Sequence, residues 1–248
     1  MLCWSGLMFS EDKVESLPSR ETAKNLLEWA HKQNPGPWTS HSRNAAHAAE
    51  TIAYKCGLNA DKAYVLGLLH DIGYYGYRNG KGQTCHIYLG YELMLEKGYT
   101  SVARICLSHS FAYQDIKQYG GSDMNCTDDE LAKINAFLTH TTYNDYDKLI
   151  QLCDCLGTAE GICVMEKRMV DVVRRHGFNE HILKRWDAFF TLKGYFDKKC
   201  GMNIYSLFYD EIHKNIFGTE GGIRDNYITD SKVEYYDNEP IGGQTPCS

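Results

Sequence analysis

The chain has 248 residues, 43% of them hydrophobic and 23% charged, with a formal net charge of −6; this is the make-up of a soluble globular protein with room for a real core. The acidic balance argues against nucleic acid or an acidic membrane surface as partner, since both attract a basic face, but it leaves open a small anionic substrate whose charge a bound metal would offset. No apolar run approaches the roughly 20 residues that cross a bilayer, and Met1–Ser10 lack the basic start and long apolar stretch of a secretory leader, so a cytoplasmic location is expected.

Helical periodicity dominates and nothing reads as a strand ladder. Ser19 caps a first helix running to about Gln33, with Leu26, Leu27 and Ala30 on one face, and the Asn34-Pro35-Gly36-Pro37 cluster breaks it. Thr39 or Ser40 is expected to cap a second helix to about Cys56, stopped by Gly57, and Asn59 a third through Asp71, ended by Gly73. Residues 74–84, rich in Gly and Tyr, read as a loop. His86 to Lys97 is helical and stops at Gly98; Thr100 is expected to cap a helix to about His109; a polar stretch follows over 114–125. Thr127-Asp-Asp-Glu130 is a capping box for the next helix. Further helical patterns cover 144–156, 160–175, 179–198 and 203–216, before an irregular tail. The spacing therefore predicts an all-α protein: an N-terminal extension (1–18), a helical bundle (19–160), C-terminal helices packed on the same domain (161–217) and the tail (218–248).

Ten cysteines raise the question of disulfides. Cys56, Cys106, Cys153 and Cys163 fall in apolar patterns, there is no Cys-x-x-Cys pair, and Cys153 and Cys155 are too close together for a structural zinc knuckle. Reduced packing cysteines are expected.

The chemistry lies in ionisable residues that sit on apolar stripes. The doublet His70-Asp71 closes the run Ala63-Tyr-Val-Leu-Gly-Leu-Leu69, an expensive place for polar groups unless a cation satisfies them. His41 shares a helix face with Ala45, Ala48 and Ile52; His86 with Leu89, Gly90 and Leu93; His109 with Val102, Ile105 and Cys106; Asp154 with Ile150 and Gly157. One such histidine is ordinarily a core imidazole bonded to a carbonyl. Six inward polar residues without an ion would leave several unsatisfied, each at about 1–3 kcal/mol. Imidazole and carboxylate together suit Fe, Mn, Zn, Co or Ni rather than Ca or Mg. Six ligands exceed one tetrahedral ion, so two divalent transition-metal ions roughly 3.5–4 Å apart are expected, with Asp71 as bridging carboxylate and a metal-activated hydroxide as nucleophile.

The order His41, His70-Asp71, His86, His109, Asp154, with the stretches His41-Ser-Arg-Asn-Ala-Ala, Leu68-Leu-His-Asp-Ile-Gly73 and Leu152-Cys-Asp-Cys-Leu156, resembles the HD-domain metal-dependent phosphohydrolase superfamily in its six-ligand, dinuclear form. The resemblance implies that His41, His70, Asp71 and Asp154 bind one ion and that His86 and His109, with Asp71, bind the second. The spacing looks like enzymes that cleave nucleotides, among them symmetrical dinucleoside-tetraphosphate hydrolases. The Gly-Tyr-Pro signature of the cyclic-di-GMP enzymes is missing, and Tyr74 and Tyr75 stand where alarmone hydrolases carry Glu-Asp. Tyr74 also replaces the Lys that many members carry after His-Asp-Ile-Gly.

The expected function is hydrolysis of a nucleotide or other small phosphate ester, with Asp71 as the catalytic residue and Arg78 and Lys81 of the 74–84 loop as phosphate receivers. Tyr74, Tyr75 and Tyr77 would stack on a base or cover the core. His140 is the strongest rival ligand, His47 a surface residue, and the charges at 166–175 and 184–199 a solvated helix face. Helices beyond 160 are expected to form the pocket wall or the face of a homodimer. Two other functions fit the same residues, a diiron oxygenase of the HD fold and a non-catalytic nucleotide-binding module.

Overall fold

A computed structural model describes residues 16–76, 85–119 and 125–218. In chain order the α-helices are α1 Arg20–Gln33, α2 Trp38–Lys55, α3 Ala60–Leu69, α4 His86–Glu96, α5 Thr100–Ser108, α6 Asp128–His140, α7 Asp145–Leu156, α8 Met165–His176, α9 Ile182–Cys200 and α10 Tyr209–Phe217. A two-residue antiparallel ladder, β1 Gly157–Thr158 with β2 Gly161–Ile162, follows α7. The protein is all-α. No helix among the described residues is long and apolar enough to cross a membrane.

Several helix starts are set by the side chains the sequence offers. Ser19 Oγ accepts from Thr22 N (3.1 Å) at α1, and Asn59 Oδ1 from Lys62 N (2.9 Å) at α3. Reciprocal capping boxes open α6, through Thr127 and Glu130, and α7, through Asn144 and Asp147. Two expected caps differ. Pro37, not Thr39 or Ser40, stands before α2, because its fixed φ already suits a helix start; Thr39 Oγ1 bonds back to Gly36 O instead (3.2 Å). Tyr99, not Thr100, precedes α5, and Thr100 Oγ1 accepts from Ser16 N (3.2 Å).

The centre of the fold is the α2–α3 pair. Along α2, Ala45, Ala46, Ala48, Ala49, Ile52 and Ala53 are fully buried. This face of small residues lets α3 approach so closely that a Cβ on Gly67 would lie 2.8 Å from Ala46 Cα. The close pairing brings His41 near the start of α2 beside His70 at the end of α3. α7 packs on α2 and α3, and α4 and α5 pack on each other beside the His70–Asp71 turn.

Two expectations are corrected. The helix expected from residue 160 begins at Met165, because Gly161 adopts φ +139° and its carbonyl accepts from Thr158 Oγ1 (2.9 Å), which closes a hairpin instead. Not all the cysteines are reduced: Cys85, just before α4, is bonded to Cys126, just before α6. These two lie just before helix starts, outside the apolar periodicity from which the free state was argued, and their Cα atoms are 4.6 Å apart. Cys56, Cys106, Cys153, Cys155, Cys163 and Cys200 are free, and all but Cys56 are buried.

Candidate metal centre

Five segments meet at one point. α2 contributes His41, the turn after α3 contributes His70 and Asp71, α4 contributes His86 as its first residue, the end of α5 contributes His109, and α7 contributes Asp154. All but Asp154 are buried. His41, His70 and Asp71 form one group that could hold an ion, and Asp71, His86 and His109 form a second.

Asp71 belongs to both groups through different oxygens. Its Oδ2 lies 3.5 Å from His70 Nε2 and 3.7 Å from His41 Nε2; its Oδ1 lies 3.2 Å from His109 Nε2 and 3.6 Å from His86 Nε2. Asp154 joins the first group, with Oδ1 3.0 Å from His41 Nε2 and 3.8 Å from His70 Nε2.

The far nitrogens of the imidazoles are held by the backbone. His41 Nδ1 donates to Gly157 O (2.9 Å), His70 Nδ1 to Gly67 O (2.7 Å), and His109 Nδ1 to the carbonyls of Cys106 (3.0 Å) and Ile105 (3.1 Å). A carbonyl can only accept, so in each ring the Nδ1 carries hydrogen and the neutral form points an Nε2 lone pair inward. His86 is held by Tyr74, whose ring stacks on it at 4.2 Å and 11°. Gly73 sets the start of α4: a Cβ there would sit 1.8 Å from His86 O, so the chain reaches His86 only with glycine at this position.

The residues fit a cation. His41 Nε2 and His70 Nε2 are 3.2 Å apart with both Nδ1 atoms committed to carbonyls. Two lone pairs at that distance repel unless something positive lies with them. Without an ion that role falls to a proton: burial would push His70 down, but Asp71 and Asp154 outweigh it and lift its pKa to about 9. Burial holds His86 down at about 4 despite Asp71, so its neutral, ligating form prevails at neutral pH. Burial would raise Asp71 and Asp154 as well, but the surrounding imidazoles hold both well below the usual carboxylate range.

The ends of α5 and α7 are locked together nearby. The buried Asp147 carboxylate accepts from Arg104 Nε (3.0 Å) and Nη2 (2.6 Å), from Ser108 Oγ (2.8 Å) and from Asn144 N (2.9 Å). Ser108 immediately precedes His109, so this network fixes where that imidazole enters the centre.

The other candidates lie elsewhere. His140 is exposed and donates through Nδ1 to Ala136 O (2.8 Å), outside both groups. His47 is exposed and faces Glu211 (3.0 Å). Tyr75 packs on Trp29 rather than on the centre. Arg78, Lys81 and Tyr77 lie outside the described residues.

Beside the centre opens a cavity of about 340 Å³, whose lining includes Asp71, His86, His109 and Asp154. α8 and α9 form part of its wall and bring Arg168, Arg175, Arg185, Trp186 and Phe189 to it. Most charges of 166–175 and 184–199 are solvated, as expected, but Arg168 and Arg185 are half-buried and correct that reading at two positions. The signal was the one that marked the histidines: Arg168 falls among Met165, Met169 and Val172, and Arg185 among Ile182, Trp186 and Phe189, so both sit on apolar stripes.

The fold and site define a helical metal-binding domain in which a His-Asp doublet is flanked by further His and Asp residues. Residues 38–158 match the HD domain family, and the chain is an HD-domain protein, which places it in a metal-dependent, hydrolase-type superfamily. No curated protein and no solved structure matches the chain.

Proposed function

We propose that this HD-domain protein is a metal-dependent phosphohydrolase of a nucleotide or another small phosphate ester, working with two divalent transition-metal ions. The observation that supports this most is Asp71, whose two carboxylate oxygens are divided between two histidine pairs. His41, His70, Asp71 and Asp154 would hold one ion, and His86, His109 and Asp71 the other. When bound, such a pair supplies an activated water at neutral pH and polarises a phosphoryl oxygen.

The chain's own residues prepare the site for that role. Carbonyl bonds to Nδ1 of His41, His70 and His109 fix the rings, so little reorganisation accompanies binding. Asp71 and Asp154 bring two negative charges, which two divalent ions exceed, leaving a net positive centre that attracts a phosphate anion. Arg168 and Arg185 add positive charge to the cavity wall. Met169, Val172 and Phe189 line the same cavity and limit the water around the reacting phosphate.

The test is metal analysis of purified protein, followed by phosphate release from a panel of nucleotides and simple esters under Mn²⁺, Fe²⁺, Co²⁺, Ni²⁺ and Zn²⁺. Turnover by the wild type and none by Asp71→Ala supports the proposal; full activity in a metal-depleted Asp71→Ala protein overturns it.

A further inference from the structure

The cavity wall holds an amide without a partner. Gln118, in the 3₁₀ turn Ile116–Tyr119, is 1% exposed and lines the cavity, yet neither its Oε1 nor its Nε2 has a hydrogen-bond partner. A buried polar group left unpaired costs about 1–3 kcal/mol. Carrying two such atoms beside a cavity is reasonable if a ligand pairs with them. A glutamine amide presents an acceptor and a donor side by side, complementary to a planar edge with an adjacent donor and acceptor, as on a nucleobase.

The same cavity provides for the rest of such a molecule. Arg168 is half-buried, and its ion pair with Asp171 spans 3.7 Å, beyond hydrogen-bond distance. Arg168 lines the same cavity as Asp71 and Asp154 of the metal centre, so its fork of donors is available to a phosphate held in that cavity. Trp186 and Phe189 offer flat apolar surface to a ring. The volume of about 340 Å³ is at the small end of the roughly 300–1,000 Å³ typical of small-molecule sites, so it suits one compact ligand rather than a polymer.

We infer that the cavity takes a nucleoside phosphate, with Arg168 on the phosphate beside the metal centre and Gln118 paired with the base edge, so that Gln118 sets specificity for the organic group. The hydrolysis part of this rests on the phosphohydrolase reading; recognition of the base does not.

The experiment compares wild type, Gln118→Leu and Arg168→Gln, as full chains, in two assays. With Mn²⁺ present, kcat/KM is measured for the four common nucleoside 5′-monophosphates, ribose 5-phosphate and p-nitrophenyl phosphate. The expected result is a preference of about tenfold or more for at least one nucleotide over ribose 5-phosphate. That preference should collapse in Gln118→Leu while p-nitrophenyl phosphate turnover stays within about twofold. Arg168→Gln should instead raise KM for every ester. In the second assay, the metal-free proteins are melted with and without the four phosphate-free nucleosides: a Tm rise in wild type and Arg168→Gln should vanish in Gln118→Leu. Without ligand, Gln118→Leu should melt no lower than wild type, since it removes two unpaired buried atoms. A lower ligand-free Tm would mean that Gln118 already has a partner, and would overturn the inference. So would an unchanged nucleotide preference in Gln118→Leu, or ribose 5-phosphate preferred by the wild type. If no ester is hydrolysed under any metal, the phosphohydrolase reading fails and the nucleoside melts alone decide: an undiminished Tm rise in Gln118→Leu overturns the role of Gln118.

Discussion

Asp147 lies outside both metal-binding groups, yet the structure makes it a control point for the second one. Its side chain is fully buried and its carboxylate collects hydrogen bonds from Arg104, Ser108 and Asn144. Asp147→Ala leaves the Arg104 guanidinium with Thr142 O (2.8 Å) as its remaining acceptor, deprives the buried Ser108 hydroxyl of its acceptor, and opens the capping box of α7. Breaking a buried ion pair by removing one partner costs about 3–5 kcal/mol. Arg104 keeps 21% side-chain exposure and can turn toward water, which places the loss near the lower end, about 3 kcal/mol. The assay is urea unfolding of metal-free protein by circular dichroism, in a cycle with Arg104→Met. The double variant should lose less than the sum of the singles by about 1.5 kcal/mol or more, since Arg104→Met removes the charge that Asp147→Ala strands. Because Ser108 precedes His109, the single variant should also weaken the His86–His109 side of the centre more than the His41–His70 side. Additive losses, or a loss under about 1 kcal/mol for Asp147→Ala, would show that Asp147 and Arg104 do not act as a buried pair.

Gly73→Ala must displace α4, because the new methyl would meet backbone atoms at His86 and Gly90; a stability loss of about 1–3 kcal/mol and weaker metal binding are expected, measured by urea unfolding and metal titration. Metal-free protein should be most stable near pH 6.5. Above it, the stability contributed by His70, whose folded value is raised to about 9, is lost as pH rises toward that value. Below it, stability falls toward the lowered folded value of His86, about 4. Since an ion must displace the proton on His70, apparent metal affinity should rise between pH 6.5 and 9, and a flat profile in calorimetric titrations would contradict this. His140→Ala should keep full metal content by elemental analysis, whereas His109→Ala should not.

The helices were legible because periodicity and caps agree along most of the chain, as at Ser19, Asn59 and the Thr127 capping box. The centre was legible for the same reason: ionisable residues on apolar stripes at His41, His86, His109 and Asp154 had to face inward. The same rule holds at Arg168 and Arg185, where neighbouring charges obscured the stripe. Gln118 gave no such signal, since it sits in a short 3₁₀ turn without periodicity. The Cys85–Cys126 bond was equally hidden, because its partners are 41 residues apart and only the folded chain brings them together.

We propose that Asp71 joins the two groups that could hold metal into one catalytic centre. Metal titration of metal-free protein, with bound ion measured by elemental analysis and phosphate release followed on the same samples, tests it most directly. About two equivalents in the wild type, with turnover appearing only as the second is filled, and loss of both ions and turnover in Asp71→Ala, is the predicted result. Saturation at one equivalent with full turnover, or an Asp71→Ala protein that keeps its metal and its activity, would contradict the account.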